Sequence, residues 1–279
     1  MFAALRRRVL RSAAALPQGR SRSRSFFSAA VAAAATTSMA AAVPRQEPVA
    51  EATAAAVSPA HTHIPEAEFP SAPGQILNWW FGKQGDKHHL QFRGMWFQST
   101  PKIDEELRRL FSAPLKAAQA GGLSSWEAHP ETMAAKIILM DQFSRNIHRG
   151  SAEAFRGDAE ALRCTLKGIA LDQKAGAKQQ QQFFRALPDM MRYFCLMPLM
   201  HAEDLAMQEL GEEHFKTLSF FSTTALLQQA VAQHKEMIVK FGRFPHRNAI
   251  LGRVNTPAEA AYLSAGNAHD YGQKAATSK

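Results

Sequence analysis

From Pro73 to Tyr262 the apolar residues recur at three-to-four spacing in runs of helix length, and no segment alternates apolar with polar for more than a few residues. That period turns one face of a helix inward and the other outward, and it excludes a half-buried sheet. Helix punctuation separates the runs. Pro73 to Phe81 puts Ile76, Trp79 and Trp80 on one face, and Trp96 and Phe97 follow a polar stretch as further core mass. Thr100 is an N-cap with Pro101 at the first helical position, Ile103, Leu107, Leu110 and Phe111 form the stripe, and Gly121-Gly122 ends it. Pro114 is expected to kink or split that helix. Pro130 opens a helix carrying Met133, Ile137, Ile138, Met140 and Phe143, and Gly150 stops it.

Ser151 to Asp172 reads as a further helix with Ala154, Phe155, Ala161, Leu162 and Leu166 inward and Gly157 as its weak point. Pro198 is expected to break the apolar run Tyr193 to Met197, with a new helix starting near Leu199. Ser222 to Phe241 carries Leu226, Leu227, Ala230, Val231, Ile238 and Val239 as its stripe, with His234 near the middle. Thr256-Pro257-Ala258-Glu259 is a capping box for a last short helix through Tyr262. The fold class is therefore all-α, with about eight to ten helices in a bundle or in stacked helical hairpins. A search for the roughly 34-residue tetratricopeptide period finds no consensus.

The net charge of +9 would point to nucleic acid or anionic membrane if it were spread over the chain. It is not. Arg6, Arg7, Arg8, Arg11, Arg20, Arg22, Arg24 and Arg45 lie in residues 1–46, which hold no lysine or acid, and taking those eight from 33 basic residues leaves 25 against 24 acidic ones. An arginine-rich, Ser/Ala-rich, acid-free start with Phe2, Leu5, Val9 and Leu10 on one helical face reads as an organelle transit peptide, for the mitochondrial matrix or alternatively a plastid. Residues 47–70 read as a disordered linker, 71–265 as the helical domain and 266–279 as a disordered tail. No run of about 20 strongly apolar residues is present to span a membrane. Cys164 and Cys195 read as buried free thiols of a reducing compartment.

Three polar clusters interrupt this apolar plan: Asp141 to Gly150, Arg192 to Gly211, and FGRFPHRNAILGR from Phe241 to Arg253. Arginines set among phenylalanines indicate charge held against a packed interior. Arg145, Arg149, Arg243, Arg247 and Arg253 offer planar donors suited to carboxylate or phosphate. His201, His234 and His246 can serve as acid, base or donor near neutral pH, with Glu203 or Asp204 as the orienting carboxylate. Asp141 and Arg145, four apart, are expected to pair. No Walker loop, Rossmann glycine pattern or nucleophile elbow is present.

The clusters LMDQFSRNIHRG, PLMHAEDLAMQE and FGRFPHRNAILGRVNTPAEAAYL, with the leading ILNWWFG, resemble the bacterial-type domain of unknown function 924 over roughly Pro73 to Leu263. The family's motif is matched at Asp141, Gln142, Phe143, Arg145, Asn146, Arg149 and Gly150, at His201, Glu203, Asp204 and Gln208, and at His234, Phe241 to Asn248 and Arg253. The chain departs at Ser144, where the family has proline, and at Ala202, where it has serine. The resemblance implies a tetratricopeptide-like fold of stacked helical hairpins and carries no reaction, cofactor or catalytic residues to transfer.

Three readings follow. The first is a soluble helical protein whose pocket binds a small phosphate or carboxylate through Arg145, Asn146, Arg149, His201, Glu203, His234, Arg243, His246, Arg247 and Asn248. The second treats the same residues as salt bridges clamping helices, with Glu203 or Asp204 paired to Arg243 or Arg247. The third, from the implied fold, is a scaffold whose groove takes a peptide. A metal held by His201, Glu203, His234 and His246 is an outside reading, because only His201 and Asp204 have helical ligand spacing.

Overall fold

The computed structural model describes residues 72–176 and 182–265, and every regular element among them is helical. The expected transit peptide, linker and C-terminal tail, and part of the glutamine-rich loop, lie outside the described residues. Helix α1 is Ala72–Phe81 and α2 is Pro101–Gln119. Helix α3 starts as Pro130–Ile138, widens into a π turn at Leu139–Phe143 and closes with Ser144–Ile147. Then come α4 (Asp158–Ala175), α5 (Asp189–His201), α6 (Leu205–Phe215), α7 (Ala225–Phe241) and α8 (Pro257–Ser264). No helix among the described residues is long and apolar enough to cross a membrane.

Helix α3 is central: it packs on α1, α2, α4 and α5, while α5, α6 and α7 pack in sequence order. Its first stretch is buried on nearly every side, Met133 to Ile138 without exception, which a purely amphipathic helix could not be. Lys136, 2% exposed, is tolerated there because Glu127 (2.7 Å) and Glu160 (2.8 Å) neutralise it. Trp79, Trp80, Trp96, Phe111, Phe143 and Phe194 meet through ring contacts of 4.8–6.3 Å and fasten α1, α2 and α5 to α3. Such pairs add about 0.5–1.5 kcal/mol each beyond burial.

The caps read from sequence form: Thr100 accepts from the Ile103 amide at 3.3 Å, and Thr256 and Glu259 complete a capping box. Three boundaries differ. Helix α2 is not split at Pro114 and runs on to Gln119, and α5 runs through Pro198 and ends at His201. Both helices are held by packing on α3 that outweighs one missing backbone bond. The break expected at Pro198 falls instead at Ala202, and Asp204 caps α6 by accepting from the Met207 amide at 3.1 Å. The helix expected from Ser151 is a short 3-10 turn, Ala152–Phe155, and α4 begins only after Gly157. A Cβ at Gly157 would lie 2.4 Å from the Met140 carbonyl oxygen, so only glycine lets this junction press against the π turn. In α7 the stripe is Leu227, Val231, His234, Met237 and Ile238, so the expected Leu227, Val231 and Ile238 are buried, while Leu226 (48% exposed) and Val239 (63%), each one position along the helix from a buried residue, face outward.

Candidate functional site

The π turn places Asp141 wholly inside the protein, where its carboxylate accepts from Arg145 Nη2 (3.0 Å), from the Gln142 side-chain amide and from His201 Nδ1 (2.7 Å). Turns of this kind recur at functional sites because they rotate one side chain out of helical register. Burial acts to raise the Asp141 carboxyl, but the hydrogen bond from His201, the charge of Arg145 and the Gln142 amide outweigh it and hold the group well below the usual range. Burial lowers His201 and outweighs the pull of Asp141, with Arg145 and Arg247 acting in the same direction as burial. At neutral pH the pair is therefore carboxylate plus neutral imidazole. With Nδ1–H donated to Asp141, Nε2 carries the lone pair of a general base.

His201 lies on the wall of a cavity of about 390 Å³. The end of α3 contributes Gln142, Arg145, Asn146 and Arg149. The end of α5 adds Tyr193, Met197, Met200 and His201, α7 adds Ala230, Gln233 and His234, and the 3-10 turn Pro245–Arg247 adds His246 and Arg247. Phe155 and the loop residues Trp96, Phe97 and Ser99 complete the lining.

Charge in this wall is unevenly compensated. Asp104 holds Arg149 in a two-pronged contact (2.7 and 3.0 Å), and Asn146 accepts from it at 2.6 Å. Arg145 lies between Asp141 and Asp158, each 3.0 Å away. Among the described residues Arg247, with 8% of its side chain exposed, pairs only with Asp158, at 3.5 Å, and its buried Nε has no hydrogen-bond partner. Its guanidinium lies between the rings of Phe155 (4.8 Å) and Phe244 (4.5 Å). Burial first, and then Arg145, push it down to about 10. The histidines register the same positive field. Burial and His201 lower His234 to about 3, and burial and Arg247 lower His246 to about 3.

Of the ten residues proposed from sequence, Arg145, Asn146, Arg149, His201, His234, His246 and Arg247 line this one cavity. Three do not. Glu203 turns to Arg253 (2.6 and 2.9 Å) and to the Phe244 amide (2.8 Å). Arg243 is clamped on Glu259 (2.6 and 2.8 Å), and Asn248 donates to Asn255 at 2.7 Å. The salt bridges expected between Glu203 or Asp204 and Arg243 or Arg247 are replaced by Glu203–Arg253, Arg243–Glu259 and Arg247–Asp158. The carboxylate that orients His201 is Asp141, sixty residues away, rather than the adjacent acids. Glu203, named as a possible metal ligand, is likewise taken up by Arg253. Among the described residues the one group of ligand atoms close enough to share an ion is Glu127, Glu160 and Cys164. Lys136, Arg163 and Lys167 already fill it with positive charge. Cys164 and Cys195 are buried free thiols, and burial raises both.

Sequence reasoning missed the cavity's apolar side. Phe155 looked like an ordinary inward residue of a helix, and Trp96 and Phe97 like core mass; Ser99 and Gln233 carry no signal that periodicity or motif could supply. Gln142 and Tyr193 lay inside the polar clusters and could have been nominated with their neighbours.

A solved structure of a protein of unknown function from Agrobacterium tumefaciens is similar to this chain at 28% identity, with a TM-score of 0.55, covering 71% of this chain and 99% of that one. No curated protein matches the chain significantly. The sequence profile described as "Bacterial protein of unknown function (DUF924)" matches residues 76–267, which is more than half of the chain. The chain therefore belongs to the DUF924 family.

Proposed function

We propose that the cavity binds a small anion, a phosphate or carboxylate, with Arg247 as its principal charge partner. The observation that supports this is a buried guanidinium with one long ion pair, an unpartnered Nε and two neighbouring rings that exclude water. A buried cation left this poorly neutralised is costly, and an incoming anion would lower that cost. His201, oriented by Asp141, stands beside the ligand in the form able to accept a proton, so the same site is equipped for acid–base chemistry. We further propose that the N-terminal 46 residues direct this helical body to the mitochondrial matrix, or alternatively to a plastid.

Arg243 and Arg253 belong to the clamps that fix the loop after α7, so the segment FGRFPHRNAILGR divides its labour. Its outer arginines hold the loop, and His246 and Arg247 face the cavity. The reading is tested by thermal denaturation of the full-length chain with inorganic phosphate, sulfate, acetate and succinate. At least one anion should raise the transition in proportion to its occupancy, by about 2.7 kcal/mol at a hundredfold excess over Kd. Arg243→Met should keep that response although its basal stability falls, and Arg247→Met should lose it. A transition unmoved by every anion would remove this reading and leave the ion pairs as helix clamps.

A further inference from the structure

We propose that the anion carries a flat apolar body, an aryl phosphate or aryl carboxylate rather than a bare inorganic ion. This rests on the anion-site reading above and names the class of molecule the cavity takes. Three observations point the same way. The first is size. A volume of about 390 Å³ is that of roughly a dozen waters at about 30 Å³ each, several times what a phosphate group occupies and within the range of organic ligand sites.

The second is the segregation of the lining. Arg145 and Arg247 share the Phe155 ring, Asp141 joins Arg145 to His201, and the His201 and His234 rings lie 6.0 Å apart, so the guanidinium and imidazole groups form one contiguous patch. Phe97, Trp96 and Tyr193 belong to a different contiguous series: Phe97 stacks on Phe92 (5.4 Å), Phe92 meets Trp96 (6.0 Å), and Trp96 and Tyr193 both meet Phe194 (4.9 and 5.0 Å). Trp96 spends its indole N–H on the Trp80 carbonyl at 3.0 Å, so what it offers the cavity is ring surface. Met197 and Met200 add soft, adaptable surface, and Gln142 joins the two sides by pointing its amide at Met197 Sδ, 3.5 Å away.

The third is the pair of exposed rings. Phe92 is 65% and Phe97 50% exposed, and they stack nearly parallel, at 12°, with Phe97 on the cavity wall. Two large aromatic rings left in water beside a basic cavity offer a face on which a third ring can lie.

Calorimetric titration of the full-length chain with matched pairs tests this: inorganic phosphate against phenyl phosphate, acetate against phenylacetate, and benzyl alcohol as the neutral ring. The aryl member of at least one pair should bind at least tenfold tighter than its bare anion, and benzyl alcohol at least tenfold weaker than that aryl anion. Phe97→Ala, at a half-exposed position outside the tight core, should shrink the ratio of aryl to bare-anion affinity severalfold. Bare and aryl anions binding equally would overturn this inference and leave the anion site standing. Benzyl alcohol binding as tightly as phenyl phosphate, or no anion binding at all, would overturn both. An aryl advantage untouched by Phe97→Ala would overturn the assignment of the aromatic wall.

Discussion

Replacing Arg247 by methionine is expected to make the protein more stable and at the same time unable to bind anions. The guanidinium is pushed down from 12.5 to about 10. At about 1.36 kcal/mol per pKa unit, folding disfavours its charged form by roughly 3 kcal/mol. Methionine keeps apolar contact with the Phe155 and Phe244 rings that flank the side chain, and loses cation–ring attraction of about 0.5–2 kcal/mol. Asp158, deprived of its distant partner, keeps Arg145 at 3.0 Å. The balance is a gain of about 1–2 kcal/mol, equivalent to a rise in Tm of roughly 2–8 °C for a domain of this size. Urea unfolding followed by circular dichroism, with and without phosphate, measures both halves of the prediction. Wild-type protein should gain stability from phosphate and Arg247→Met should not. If Arg247→Met instead lost more than about 2 kcal/mol, Arg247 would be a helix clamp, and the reasoning that ties its incomplete pairing to a ligand would fail. Stability given up at a binding site and recovered on its removal is the usual signature of a residue kept for function.

Acid should weaken the fold through the cavity histidines. His234 and His246 have folded values near 3 against 6.5 when unfolded, so between those limits the unfolded chain binds more protons. Their contribution is complete above about pH 6.5 and is lost as pH falls toward 3; at pH 5 His234 alone accounts for about 2 kcal/mol. His234→Gln should flatten the fall in urea midpoint between pH 7 and 5 by about that amount, and an unchanged slope would contradict the burial assigned to it. Gly157→Ala should cost about 1–3 kcal/mol, because the new methyl meets backbone at Met140 rather than a movable side chain. Gly74→Ala, in α1 with nothing within 4 Å, should be neutral or stabilising in the same unfolding assay.

Helix content and most helix ends were legible in the sequence because they depend on local chemistry: the three-to-four period, the Thr100 and Thr256 caps, the glycine stops. Where the reading slipped, packing had overruled a local preference. Pro114 and Pro198 stayed inside helices that α3 holds in place, and the face of α7 was set by what it packs against rather than by the longest apolar run. The chemistry of the site divided the same way. Residue types fixed that arginines and histidines would sit against apolar surroundings, since their neighbours in sequence are phenylalanine, proline and leucine. Which arginine meets which acid is a long-range property. Asp141 finds His201 across sixty positions, Arg253 takes Glu203 across fifty, and Arg247 is left with a distant Asp158. A side chain's partner depends on how helices far apart in the chain come together, so the sequence named the charged groups, and only the tertiary structure decided which were neutralised and which was left facing a cavity.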